Sequence, residues 1–218
     1  MKKIILCGVL FFFAVLPTRA GMVIGSGTTS GFTQLASDSW PGADNADIGA
    51  NWEGQTGNST FQIVSTAVTP ALLNTDAAEN YTAITWPDDQ WSEARVTVTG
   101  TNSGAGSGVG VRMSASAETW YRIVVNKAGS NNIEIGKIVA GSFSSLAFRS
   151  TTWVDGDRLR VSVTGSSTAT IKIYQNDVQV GADITDASSP ITSGRAGISY
   201  SSSVTSTSLD DWKGGSVP

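Results

Sequence analysis

Apolar residues recur at every second position through most of this chain. Ala94, Val96 and Val98 alternate with Arg95, Thr97 and Thr99, and Ile133 and Ile135 alternate with Glu134 and Gly136. Leu159, Val161 and Val163 alternate with Arg158, Arg160 and Ser162, and Ile171 and Ile173 with Lys172 and Tyr174. A period of two places one row of side chains on each face of an extended strand, so these runs predict half-buried antiparallel strands. Gly165-Ser166-Ser167 joins two such runs, and Asn176-Asp177 stands between Ile173 and Val180 as a tight hairpin turn. No window of a dozen residues carries a helical stripe. Many short strands with frequent turns predict an all-β fold, a two-sheet antiparallel sandwich.

The first twenty residues read differently. Lys2 and Lys3 precede an apolar run from Ile4 to Leu16, and Thr18-Arg19-Ala20 supplies small residues for cleavage. Residues 1–20 are therefore expected to be a secretory signal peptide, since the run is shorter than the roughly 20 residues a membrane span needs. Cleavage near Ala20 leaves 21–218 as a single domain, secreted to the extracellular space or the periplasm. No later apolar run reaches membrane length.

Cleavage also removes Cys7, the one cysteine, and the chain has no histidine. Disulfides, zinc–thiolate sites, Ser-His-Asp triads and Cys-His dyads are thereby excluded within one chain. Four lysines and seven arginines remain against 18 carboxylates, a net charge of 11 − 18 = −7. A nucleic-acid partner calls for a basic footprint, and this chain carries the reverse.

Three segments carry a family resemblance: SDSWPGADNADIGANW (37–52), GVGVRMSASAETWYRIVVN (108–126) and SGRAGISYSSS…SLDDWKGG (193–215). They resemble the concanavalin A-like lectin and glucanase group, and within it the laminin-G-like jelly-roll modules of secreted bacterial proteins. The resemblance implies a jelly roll entered through an aspartate-aromatic segment ending in Asn-Trp and left through a Leu-Asp-Asp-aromatic strand. Pro41 and Gly42 stand where related modules often carry an arginine.

That group holds both lectins and glucanases, and fold alone does not choose between them. A glucanase of the group carries paired carboxylates along one strand, because acid and nucleophile must flank one glycosidic bond. The five glutamates here, Glu53, Glu79, Glu93, Glu118 and Glu134, fall on separate strands, and no Ser-x-x-Lys or Gly-x-Ser-x-Gly is present. The expectation is a non-catalytic module.

The candidate ligand site comes from alternation. If Val111 and Ile123 point into the core, Arg112, Trp120 and Arg122 point out of the same sheet face, joined by Asn126 and by Glu134 from the next strand. An aromatic platform with planar donors and acceptors suits a sugar, which shows an apolar C–H face edged with hydroxyls. The expected partner is a carbohydrate or polysaccharide. A solvated face with Arg–Glu cross-strand pairs is the plainer account of the same residues. Trp86, Trp91 and Trp153 flank turns and offer a rim site instead, while Trp52 and Trp212 belong to the entry and exit motifs and are expected in the core. A structural or adhesive extracellular subunit is a further alternative, and a glycoside hydrolase another.

No cofactor is required. Calcium is the one candidate ion, with Asp38, Asp44 and Asp47 at the chain entry and Asp210 and Asp211 at the exit as its oxygen ligands, if first and last strands are neighbours. No spacing among them matches a calcium loop. Asn58-Ser59-Thr60 and Asn80-Tyr81-Thr82 fit the glycosylation pattern.

Overall fold

The computed structural model describes residues 28–29, 31–72, 75–98, 106–126, 131–201 and 207–218; the expected signal peptide, 1–20, lies outside them. The strands are β1 (Thr28–Thr29), β2 (Phe32–Asp38), β3 (Trp52–Gly54), β4 (Phe61–Val64), β5 (Ala67–Pro70) and β6 (Ala77–Tyr81). They continue as β7 (Gln90–Val98), β8 (Gly106–Met113), β9 (Trp120–Asn126), β10 (Asn132–Val139), β11 (Ser142–Ser150) and β12 (Asp157–Thr164). The last are β13 (Ala169–Gln175), β14 (Val178–Gln179), β15 (Ile184–Asp186), β16 (Arg195–Ser201) and β17 (Thr207–Ser216). Among the described residues there is no helix, and so none long and apolar enough to cross a membrane.

Two antiparallel sheets form the expected sandwich. The first runs β1-β2-β17-β7-β12-β13-β14, with β15 on β13 and the β4–β5 hairpin attached through β17. The second runs β11-β10-β9-β8-β16-β6-β3. Between them lie the alternating apolar rows: Ala94, Val96, Leu159, Val161 and Ile171 from one sheet, and Val109, Val111, Ile123, Ile135 and Ile198 from the other. The hairpin at Asn176-Asp177 has both residues at positive φ, 49° and 69°, as a two-residue turn matched to strand twist requires.

Entry and exit motifs meet as expected. Trp212 on β17 is the register partner of Asp38 on β2. Asp38 accepts from Trp40 N and Trp52 Nε1, both at 3.1 Å. Trp52 and Trp212 pack with ring centroids 4.7 Å apart, and Tyr81 lies 5.1 Å from Trp212. Both tryptophans are buried, as the motifs imply.

Register shifts interrupt strict alternation at four places among the described residues, and two of them carry a residue at positive φ. On β8 the register against β16 shifts at Arg112, whose φ is 52°. On β17 the register against β7 shifts between Asp210 and Lys213, with Asp211 at φ 47°. Each bulge inserts an extra residue that reverses the facing of the next side chains along the strand. Met113, in phase with Val111 by count, therefore leaves the main core and packs with Ala78, Trp120 and Ile138 on the opposite side of the sheet.

Candidate functional site

β9 carries the expected row. Ile123 points into the core, so Trp120 and Arg122 share the outer face of the second sheet. Trp120 is not a platform there, however. It is 1% exposed, packed with Met113, Ala78 and Ile138. The loop before it is tied down on two sides: Gln55 Nε2 donates to Ser114 O at 2.7 Å, and Asn58 Nδ2 donates to Glu118 Oε1 at 3.0 Å. This end of the face is closed to a sugar.

Arg112 departs from the face altogether, because the bulge turns it toward the loops at one end of the sandwich. Its side chain is 0% exposed. Nε donates to Asp88 O at 2.9 Å, Nη1 to Ile191 O at 2.6 Å, and Nη2 to Gly165 O at 2.8 Å and Asp89 Oδ1 at 3.3 Å. Burial lowers its pKa, while Tyr121 and the two aspartates oppose that shift. A guanidinium whose donors end on three loops is a structural clamp.

Arg122 behaves otherwise. Nη1 donates to Asp76 Oδ2 at 3.0 Å, and Nη2 lies 4.0 Å from Glu134 Oε2. Its guanidinium carbon sits 4.3 Å from the ring centre of Phe143 on β11, a cation–π stack. Gly136 makes room for that ring, since a Cβ there would lie 2.1 Å from Phe143 Cε2. Burial lowers the Arg122 pKa and raises that of Glu134, with their mutual attraction working against both shifts. Arg122 Nε, Asn126 Oδ1 and Trp120 Nε1, all on this one strand, are buried without a hydrogen-bond partner among the described residues. The structure thus brings together Arg122 and Glu134, leaves Asn126 buried farther along the same strand and Trp120 beneath a closed end, and removes Arg112.

Sequence reasoning missed Phe143, 43% exposed, and Phe148, 54% exposed, both on the serine-rich edge strand β11. Their signal is two large aromatics in a strand with little else to bury. The rim alternative weakens in turn, since Trp91 and Trp153 are buried and Trp86 packs on Trp212. On the outer face of the first sheet Arg160 sits among Phe32, Trp91 and Tyr174, and its guanidinium is held by Glu93 and Asp177.

The five entry and exit aspartates do not converge. Among the described residues no three acidic, histidine or cysteine side chains form a metal-holding group. Asp38 holds the two tryptophan donors, Asp44 Oδ1 accepts from Ser65 N, and Asp47 Oδ1 accepts from Gly49 N. Asp210 Oδ1 accepts from Asp211 N, and Asp211 pairs with Arg95 at 2.8 Å. Such turn-closing and strand-end bonds are the ordinary work of aspartate, and the set does not fit a calcium ion. Nor does Asn80 suit a glycan: it is buried, donating to Glu53 O and accepting from Arg195.

A second feature was not singled out by the sequence. Glu79 on β6 stands in phase with core residues Ala77 and Tyr81 and is 4% exposed. It lines a recess of about 250 Å³ with Ala46, Asp47, Trp52, Gly54, Thr60 and Phe61. Its pKa is pushed up to about 7, chiefly by burial and further by Asp47, against a hydrogen bond from Phe61 N.

No protein-family model and no curated protein matches the chain. Solved structures do match. The carbohydrate-binding module CBM66 from Bacillus subtilis aligns over 76% of this chain and 96% of its own, at 19% identity and a TM-score of 0.58. The fold is that of a lectin-like jelly roll. A legume lectin-like domain from Entamoeba histolytica covers 77% of this chain and 91% of its own, at 15% identity and TM-score 0.50. Bacteroides ovatus Xyloglucan PUL GH43B covers 95% of this chain with 42% of its own, at 13% identity and TM-score 0.55. At these identities the likeness carries the jelly-roll architecture alone.

Proposed function

We propose that this chain is an exported, non-catalytic carbohydrate-binding module whose sugar lies on the outer face of the second sheet, against Phe143. The observation that carries the reading is the Phe143 ring, exposed to solvent and braced by Arg122 from the sheet. A fixed aromatic face receives the C–H face of a sugar ring at little entropic cost. Glu134 and Asp76, already held by Arg122, accept from hydroxyls at the ring edge. Binding modules and lectins among the structural neighbours favour the same class of ligand.

A glycan array probed with the chain from Gly21 onward tests it. The expected result is binding to at least one glycan, lost in Phe143→Ala with the melting temperature preserved. Binding that survives Phe143→Ala and Arg122→Lys alike would sink this face as the site. Export is tested by mass spectrometry of culture fluid, which should find a protein beginning near Gly21.

A further inference from the structure

On the core side of β6, a carboxyl sits where the fold has no use for one. Burying a carboxyl among apolar groups is costly unless partners replace its water. Glu79 has one such partner, Phe61 N donating to Oε1 at 2.7 Å. Its second oxygen has no donor among the described residues, and no described cation pairs with it. Arg195, on the adjacent strand β16, turns to the other face, where Nη1 donates to Glu53 at 2.7 Å and Asn80 at 2.8 Å. The carboxyl instead borders the 250 Å³ recess.

The lining restricts what can enter. Asp47 and Glu79 are its only charged side chains, so an anion is repelled. Its volume lies below the roughly 300–1,000 Å³ typical of drug-sized ligands, which leaves room for one small ring. Trp52 and Phe61 give it apolar walls, and Thr60 adds a hydroxyl. A ligand hydroxyl both donates and accepts, so it satisfies a carboxyl in either protonation state.

We propose that this recess is a second ligand site, one that takes a neutral, hydroxyl-rich group the size of a single sugar ring, with the Glu79 carboxyl as its buried hydrogen-bond partner. The site is independent of the Phe143 face. Proton linkage arises from its surroundings. Of the elements packed on Glu79, the loop before β3 contributes Asp47 and β6 itself contributes Tyr81. The register partners Gly54 on β3 and Ile198 on β16, and the donor Phe61 on β4, bear no titratable group. A neutral ligand that seals the recess desolvates Glu79 further and so favours its protonated form. Binding then takes up a proton and weakens as pH rises through about 7.

The test is an NMR titration of the folded chain with methyl glycosides of neutral hexoses, glucuronate and glucosamine, at pH 6 and pH 8. A neutral glycoside should move the Phe61 amide and Trp52 indole resonances at pH 6, with affinity up to about ten-fold weaker at pH 8. Glu79→Gln keeps the acceptor for Phe61 N and gains a permanent donor, so it should bind equally at both pH values. Ala46→Trp, at the exposed mouth, should abolish the shifts even if Glu79→Gln does not fold, and Phe143→Ala should leave them intact. The proposal is overturned if no neutral glycoside moves those two resonances at pH 6. It is equally overturned if glucuronate binds best, or if glucosamine alone binds and tightens at pH 8.

Discussion

Arg112 and Arg122 lie on adjacent strands, both buried, and the fold uses them in opposite ways. Arg112 spends its donors on Asp88, Asp89, Gly165 and Ile191, closing three loops around itself. Arg122 makes one close ion pair and a longer one, stacks on an exposed ring, and keeps Nε without a partner. Burial alone therefore does not separate scaffold from site. What separates them is whether a side chain's bonding capacity is used up by its own chain.

Removing each arginine in turn tests that contrast most severely. Arg112→Met strips one group from four acceptors at once, three of them backbone carbonyls, and each buried polar group left unsatisfied typically costs about 1–3 kcal/mol. A large fall in melting temperature is expected, measurable by calorimetry. Arg122→Met should cost clearly less, because it breaks one close hydrogen bond, to Asp76, where Arg112→Met breaks four. If the two variants destabilise equally, the distinction between clamp and site fails. Trp120→Ala belongs with Arg112: truncating a buried tryptophan costs about 3–5 kcal/mol, and any loss of binding would be secondary to that.

Glu79 gives the next effect in size, and its sign is specific. Its folded pKa of about 7 stands above the usual 4.5, so the folded chain holds a proton that the unfolded chain releases between those values. Stability contributed by the protonated group is fully present below pH 4.5 and is lost as pH rises through 7. At 1.36 kcal/mol per pH unit the loss is about 3 kcal/mol. Glu79→Gln should therefore match the parent near pH 4 and exceed it in denaturant midpoint at pH 8. A variant no more stable than the parent at pH 8 would mean the carboxyl is already satisfied, which would move Glu79 from the free class to the used one.

Much of this was legible in the sequence, and the failures share a cause. Period-two alternation located the core rows correctly, because the pleat enforces them wherever pairing is regular. It misplaced Arg112, because a bulge depends on the register against β16, a strand more than eighty residues away. Trp120 was placed on the right face, but whether a loop covers it depends on contacts such as Asn58 with Glu118, sixty residues apart. Neither Glu79 nor Phe143 stood out: the setting of Glu79 depends on β4, which supplies Phe61 N, and the role of Phe143 rests on the absence of a side chain at Gly136.

A smaller effect bears on the Arg122 side. Phe143→Ala removes an exposed ring from an edge strand, where substitutions usually change stability by less than about 0.5 kcal/mol. Its loss should show almost wholly in glycan affinity, because an aromatic anchor tends to dominate a small interface. Isothermal titration against the best array hit measures this. A Phe143→Ala protein that loses stability and keeps affinity would make the stack on Arg122 a packing device.

For the chain-end aspartates the expected effect is none, which extends the rule to carboxylates. Asp38, Asp44, Asp47, Asp210 and Asp211 cluster at the chain ends in the sequence, yet each already receives a hydrogen bond or an ion pair from its own chain. A cation that bound only the folded state would raise the melting temperature by mass action, by an amount that grows with its concentration. For calcium to bind, several of these aspartates would have to exchange those bonds for the ion and move together. The expected outcome is a melting curve that is the same in chelator and in millimolar calcium. A calcium-dependent rise, lost in Asp38→Asn, would show that a side chain engaged by its own chain is still available to a ligand. That result would undo the criterion that separates Arg112 from Arg122.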